Sequence, residues 1–234
     1  MATARQGTSQ ISTSKQRLPH IKWDENTVDE ILCGRVEVLL EQHERIVVGL
    51  TGSPGAGKST IARQLTDALG GRFPGQVAYV PMDGYHLAHS LLDRMGLLDH
   101  KGAPDTFDSA GYHVLLERLR RGGRETIYAP DFRRDLGDAV AGAIPVTTEV
   151  RVVITEGNYL LLEAGAWAGL RPLLDEVWYV ETPDNVRVHR LIARHRQFEA
   201  NTAAAAGRAG GSDQRNAELV EASRSRADLV IHYR

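Results

Sequence analysis

Eight residues, Gly52-Ser53-Pro54-Gly55-Ala56-Gly57-Lys58-Ser59, follow the spacing G-x-x-x-x-G-K-[ST], the Walker A phosphate loop. Its glycines let the backbone curl so that successive N–H groups converge on one anion. Lys58 supplies a point charge for the β- and γ-phosphates, the Ser59 hydroxyl can ligate Mg²⁺, and Thr60 can add a phosphate hydrogen bond. The chemistry is binding of ATP or GTP with Mg²⁺. Two carboxylates are placed to use it. Asp83 follows the apolar run VAYVPM and suits a base that takes a proton from a substrate hydroxyl; Glu156 follows RVVIT and suits a ligand to the metal or its water. Arg187, Arg190 and Arg194 recur at i, i+3 and i+7, one face of a helix, where they can neutralise charge on a transferring phosphoryl group. Val188, Leu191 and Ile192 are expected on the opposite side.

To hold these residues in one place the chain must alternate strands and helices, and it does. Residues 45–52 and 76–83 read as strands, as do 149–156, 175–182 and 228–233: short, β-branched apolar runs. Helical periodicity covers 25–43, 58–71 (with Gly70-Gly71 as its stop), 110–123, 183–196 and 216–227. The alternation predicts an α/β, three-layer P-loop fold with a central, mainly parallel sheet of five strands, and a ligand site beyond the strands' carboxyl ends. A strand runs directly into the glycine loop and a helix directly out, the context the phosphate motif requires. The Ala/Gly tract 200–213 reads as a mobile loop, and with the preceding arginine helix it makes a lid of about 187–213.

Composition narrows the function classes. Of 234 residues, 42% are hydrophobic and 25% charged, with a net charge of −2, a globular balance that offers no electrostatic case for nucleic acid or an anionic membrane. No apolar run is long enough to span a bilayer. Cys33 is the only cysteine, so neither an internal disulfide nor a thiolate-rich zinc site is possible, and a cytoplasmic setting is expected. Residues 1–22 contain no Asp or Glu and read as a disordered tail before one domain over 23–234. His86, His89, His100 and His113 lack the ligand set of a zinc site; hydrogen bonding to a substrate or a surface role is expected of them. Trp23, Trp167 and Trp178 read as packing residues. No N/T-K-x-D element for reading guanine is present.

The motifs GSPGAGKST, PMDGYH, KGAPDTFD, VVITEGNYLLL and RLIARH together resemble the uridine kinase, phosphoribulokinase and bacterial-type pantothenate kinase group, and within it the bacterial nucleotide-kinase-like proteins labelled as fructose or sugar kinases. The likeness runs over about 25–234. It implies a nucleoside monophosphate kinase-like fold and ATP-dependent phosphorylation of a hydroxyl on a small molecule: a sugar, a nucleoside or a pantothenate-like compound. It implies Asp83 as base, Lys58 on the phosphates, Ser59 and Glu156 at Mg²⁺, and Arg190 and Arg194 as phosphate contacts. The acceptor is expected among Asp83, Tyr85, His86, Lys101, Asp105, Phe107, Asp108, Arg134, Asn158 and Tyr159. Arg133 stands where such kinases carry a small or acidic residue, while Arg134 keeps their arginine. A nucleotide-binding regulator or an ATPase of the same fold is the alternative, and a homodimer the default assembly.

Overall fold

The computed structural model describes residues 18–24, 26–195 and 211–234; most of the expected tail and the stretch 196–210 of the expected lid lie outside the described residues. The strands are β1 (His20–Lys22), β2 (Ile46–Thr51), β3 (Val77–Tyr79), β4 (Ile127–Arg133), β5 (Asp138–Val146), β6 (Val152–Glu156), β7 (Glu176–Glu181) and β8 (Leu229–His232). The α-helices are α1 (Cys33–Gln42), α2 (Lys58–Arg72), α3 (His89–Met95), α4 (Ser109–Arg121), α5 (Asp184–His195) and α6 (Ser212–Ala222).

The central sheet has the order β1-β8-β7-β2-β6-β3 and every neighbouring pair is parallel. Its middle strand, β2, is buried along its whole length. Successive residues serve opposite layers. Val47 packs with Tyr112, Leu115, Leu116 and Leu119 of α4. Ile46, Val48 and Leu50 pack with Val36 of α1 and with Ile61, Leu65 and Leu69 of α2. Burial on both faces is what makes parallel strands read as continuous apolar runs. Each such side chain, fully withdrawn from water, contributes about 1.5–3 kcal/mol. Among the described residues no helix is long and apolar enough to cross a membrane.

Three expectations need correction. The sheet has six strands rather than five, because His20–Lys22 adds to the edge of β8. That segment orders by pairing: Trp23 N–H donates to the His232 carbonyl and Val230 N–H to the Pro19 carbonyl, while Ile21 packs on the core. Gly70-Gly71 does not end α2, which runs on to Arg72 because Phe73 N–H still reaches the Leu69 carbonyl. Residues 127–146, read as no element, form an antiparallel hairpin outside the main sheet. Only Ile127, Ala129 and Val146 of the hairpin are buried, so its strands lack the dense apolar runs of the others.

Candidate active site

The loops after β2, β3 and β6 meet beyond the carboxyl ends of the sheet, at the crevice such sheets reserve for ligands. They border a cleft of ≈ 590 Å³ whose lining includes Lys58, Ser59, Thr60, Asp83, Glu156 and Arg190.

The phosphate loop is shaped by close approach. Gly52 has φ 149°, and a Cβ there would lie 2.3 Å from the Val180 carbonyl oxygen. Gly57 has φ 98°, and its Cβ would meet the Tyr233 ring at 2.5 Å. No side chain could occupy either position without moving backbone or a packed aromatic ring. Gly57 is the N-cap of α2, a 15-residue helix whose positive end faces the loop. Pro54, Gly55 and Gly57 line the cleft, while Gly52, Ser53 and Ala56 form the loop's far side. Lys58 is 7% exposed and its Nζ donates to the Ser53 carbonyl at 3.2 Å, across the loop. Burial lowers its pKa from the ordinary lysine value, and the carboxylates of Glu156 and Asp83 oppose that shift. A desolvated cation held this way gains most when an anion arrives.

Glu156 is 4% exposed at the end of β6. Its Oε1 accepts from Ser59 Oγ at 2.8 Å and from the Tyr79 hydroxyl at 3.1 Å. Burial raises its pKa, as does the nearby Asp83, while Lys58 and the two hydroxyl donors pull it down. A hydroxyl and a carboxylate oxygen in contact suit Mg²⁺, which takes few protein ligands and fills its shell with phosphate oxygens and water. The donor set therefore fits a nucleotide-bound Mg²⁺.

Asp83 sits on a 3-10 turn, Met82–Tyr85, that follows β3. A Cβ on the next residue, Gly84, would lie 2.3 Å from the Pro130 carbonyl oxygen, so the hairpin presses directly on the turn. His86 closes the turn with its Nδ1 3.0 Å from the Asp83 carbonyl oxygen, and its ring tilts against Phe107 and Phe132 at 4.0 and 5.0 Å. Burial lowers the His86 pKa. Lys101 donates to the Gly137 carbonyl at 2.7 Å and lies 5.3 Å above the Phe132 ring, tying the 101–108 segment to the hairpin tip.

The expected acceptor residues thus divide. His86, Lys101, Phe107, Arg134 and Asn158 line the same cleft as Asp83. Asp105 is exposed and outside it. Asp108 caps α4, its Oδ1 accepting from Gly111 N–H at 2.8 Å; the sequence Asp-Ser-Ala-Gly before an apolar helix carried that N-cap signal. Tyr85 packs on Tyr112 at 5.3 Å, away from the cleft. Tyr159 is buried, and its hydroxyl donates to the Gly102 carbonyl at 2.5 Å, bracing the loop from beneath.

The arginines divide too. Arg187 is buried and bonds Asp184 at 3.0 Å and Gln214 at 2.6 Å, a structural clamp rather than a phosphate contact. Arg190 and Arg194 line the cleft, and between them lies the buried Leu191, expected on the opposite side. Positions i, i+3, i+4 and i+7 share a face, which is why Leu191 accompanies them. The Arg190 guanidinium lies 5.0 Å over the Tyr233 ring, and its buried Nη1 has no hydrogen-bond partner among the described residues. A buried donor without a partner marks room for an anionic ligand. Arg133 pairs with exposed Asp135 at 2.8 Å, outside the cleft. His89, named in the sequence for a substrate or surface role, lines the cleft, whereas sequence reasoning missed Phe132, Gly137 and Asp213 of the lining and Tyr233 beneath the loop. A turn signal at Gly137 within an alternating pattern would have revealed the hairpin; Tyr233 carried no local signal.

A sequence model of the phosphoribulokinase / uridine kinase family matches residues 47–231. The chain is 33% identical over 215 residues to a Schizosaccharomyces pombe protein named "Putative uridine kinase", covering 89% of this chain and 91% of that one. It is 36% identical over 121 residues to a pantothenate kinase of Leifsonia xyli, covering 51% of this chain and 37% of that one. The crystal structure of a "putative fructose transport system kinase" from Silicibacter sp. TM1040 superposes with a TM-score of 0.75 at 40% identity, covering 85% of this chain and 98% of that one.

Proposed function

The chain belongs to the phosphoribulokinase / uridine kinase family, kinases that transfer phosphate to a hydroxyl, and from that premise we propose that Asp83 is the base and that Lys58, Arg190 and Arg194 hold the donor. The donor is ATP with Mg²⁺, and the acceptor is a small hydroxylated molecule: a sugar, a nucleoside or a pantothenate-like compound. The observation that carries this reading is the convergence of Asp83, Lys58, Glu156 and the two arginines on one cleft.

Asp83 takes the proton of the acceptor hydroxyl as its oxygen bonds to the γ-phosphorus. The bond from that phosphorus to the bridging oxygen of ADP breaks, and ADP carries the electron pair away. Lys58 and the loop N–H groups hold the β- and γ-phosphates. Arg190 and Arg194 neutralise charge on the transferring group from the α5 side. Ser59 and Glu156 would hold Mg²⁺, which would supply positive charge to offset that of the phosphates. The acceptor rests between the Asp83 turn and the wall of His86, Phe107, Phe132 and Arg134. The helix α5 belongs to a lid that limits water, since an open site would hydrolyse ATP. A chain with a single cysteine suits a cytoplasmic setting.

Steady-state ADP release measured against sugars, nucleosides and pantothenate tests the reading. An acceptor should raise the rate well above bare ATP hydrolysis, and Asp83→Asn should remove that increment. An increment unchanged in Asp83→Asn refutes the base assignment. No increment with any acceptor favours the regulator or ATPase alternative.

A further inference from the structure

Glu156 accepts two hydrogen bonds on one oxygen. Ser59 Oγ donates to its Oε1 at 2.8 Å, and the Tyr79 hydroxyl donates to the same Oε1 at 3.1 Å. The first bond joins the two residues of the candidate metal site. The second comes from outside the cleft, since Tyr79 is not part of its lining while Ser59 and Glu156 are. Among the described residues both hydrogen bonds to this carboxylate fall on Oε1, and Oε2 is left for a ligand. The sheet dictates where Tyr79 stands. β3 is an edge strand, and Tyr79, its last residue, lies opposite Ile154 of β6. Side chains alternate along a strand, so Glu156, two residues beyond Ile154, projects from the same face as Ile154. That face is covered by α2: Ile154 packs with Ile61 and Leu65, and Tyr79 packs against the same cluster. The phenol therefore reaches along the neighbouring strand to the carboxylate. α2 grips it there. Ser59 and Arg63, four residues apart, share a face of that helix. Ser59 bonds the oxygen that Tyr79 bonds, and the Arg63 guanidinium lies 5.6 Å from the centre of the Tyr79 ring.

We propose that Tyr79 is a positioning residue for the metal: with Ser59 it holds Oε1 of Glu156, fixes the plane of the carboxylate and so presents Oε2 to Mg²⁺ or its water. A carboxylate held by one donor can still turn about its last bond; two donors from different elements stop that rotation. The two donors are not equivalent. Ser59 Oγ is itself a candidate ligand to the ion, whereas Tyr79 anchors the carboxylate whether or not the ion is there. The site is thus shaped before the metal arrives, and the nucleotide-bound ion meets an oxygen already aimed at it. Outer partners that orient a metal ligand in this way are worth roughly 10- to 100-fold in metal affinity. The proposal rests on the reading of Ser59 and Glu156 as the residues that hold Mg²⁺, and adds to it the side chain that orients one of them.

The test is calorimetric titration of the full chain with the non-hydrolysable ATP analogue AMP-PNP, once with Mn²⁺ and once in excess EDTA, so that metal-dependent binding is separated from binding of the bare nucleotide. Tyr79→Phe keeps the ring and its place beside Arg63 and removes only the hydroxyl. It should weaken binding of Mn·AMP-PNP at least about 10-fold and leave binding in EDTA, and the melting temperature in EDTA, unchanged. Glu156→Gln is the reference and should weaken Mn·AMP-PNP as well. Bare ATP hydrolysis, which needs no acceptor, should show the same division in Tyr79→Phe: the Mg²⁺ concentration for half-maximal rate rises about 10-fold, and the rate at saturating Mg²⁺ returns to the wild-type level. Equal weakening with and without the metal, or a rate that stays low at saturating Mg²⁺, makes Tyr79 a packing residue and overturns the proposal. Wild-type affinity for Mn·AMP-PNP in Tyr79→Phe, with Glu156→Gln weakened, overturns this proposal alone. Wild-type affinity in Glu156→Gln overturns the reading of Glu156 as a metal ligand, and this proposal with it.

Discussion

The carbonyl oxygen of Pro130 lies where a Cβ on Gly84 would have to be, 2.3 Å from it. Two segments far apart in sequence, the hairpin and the turn bearing Asp83, are thereby pressed backbone to backbone. A second contact works the same way: a Cβ on Gly157 would meet Met82 Cβ at 2.6 Å, locking the Asp83 turn against the turn that follows Glu156. The close approach of Gly157 to Met82, rather than a hydrogen bond between the two carboxylates, sets the spacing of Asp83 and Glu156.

Gly84→Ala should therefore push the Asp83 turn off the hairpin. Overpacking of this kind destabilises by about 1–3 kcal/mol. At roughly 2–4 °C per kcal/mol for a chain of this size, the melting temperature should fall by several degrees. The transfer rate should drop further than stability, about 10²-fold, because the base is displaced. Differential scanning fluorimetry and steady-state kinetics on one preparation separate the two effects.

Tyr233 should act as a positioning residue for Arg190. Its ring supports the guanidinium at 5.0 Å and abuts Gly57. Cation–π contacts of this type are worth about 0.5–2 kcal/mol. Tyr233→Leu should lower kcat several-fold at saturating ATP, and Tyr233→Phe should be near wild type. In Arg190→Met, already weakened, adding Tyr233→Leu should cost little more. Additive losses in that double-mutant cycle contradict the coupling.

Ser59 and Glu156 should behave as one unit toward Mg²⁺. Chelation of Mg²⁺ should abolish transfer. Ser59→Ala and Glu156→Gln should each raise the Mg²⁺ concentration for half-maximal rate by at least about 10-fold, and the double variant should be little worse than either. Titrating Mg²⁺ at fixed ATP reads this directly.

His86 sets a pH dependence of stability. Its folded pKa lies below the ordinary histidine value of 6.5, so between the two values the unfolded chain binds more protons than the folded one. Stability should therefore fall as pH drops below about 6.5 and recover above it. The groups facing His86 are Asp83 on its own turn, Lys101 from the following loop and Arg194 from α5; only Asp83 favours the charged ring. His86→Phe should flatten the melting temperature between pH 7 and 5 relative to wild type. A wild-type profile no steeper than that of the variant excludes His86 as the cause.

What could be read in advance followed from how local the determinant is. The phosphate loop spells its conformation in consecutive residues, and the strands of the main sheet announce themselves because both faces are buried. The hairpin did not, since Tyr128, Leu136 and Val140 are exposed and Gly137, Gly142 and Pro145 interrupt its pattern. Asp108 looked like a substrate ligand because an acid in a polar segment is ambiguous until its helix is known to begin beside it. Arg187 looked like its neighbours Arg190 and Arg194, and only the packing of α5 against Pro54 and Gln214 distinguishes it. Tyr233 backs the phosphate loop and Trp23 packs on it from the opposite part of the chain, which no local pattern encodes.

The pairing of β1 with β8 sets His20 beside Val230 and Lys22 beside His232. Bringing together partners so distant in sequence carries a large closure entropy, and a three-residue edge strand returns few bonds against it. This edge should be the last piece of the sheet to assemble and the first to open. Trp23 comes and goes with it, and Trp23 packs edge-on against Tyr233 at 5.0 Å. The phosphate loop should then receive its outermost support in the closing step of folding. Amide exchange at β1 should outpace exchange in β2, with the loop slackening while the central strands still hold.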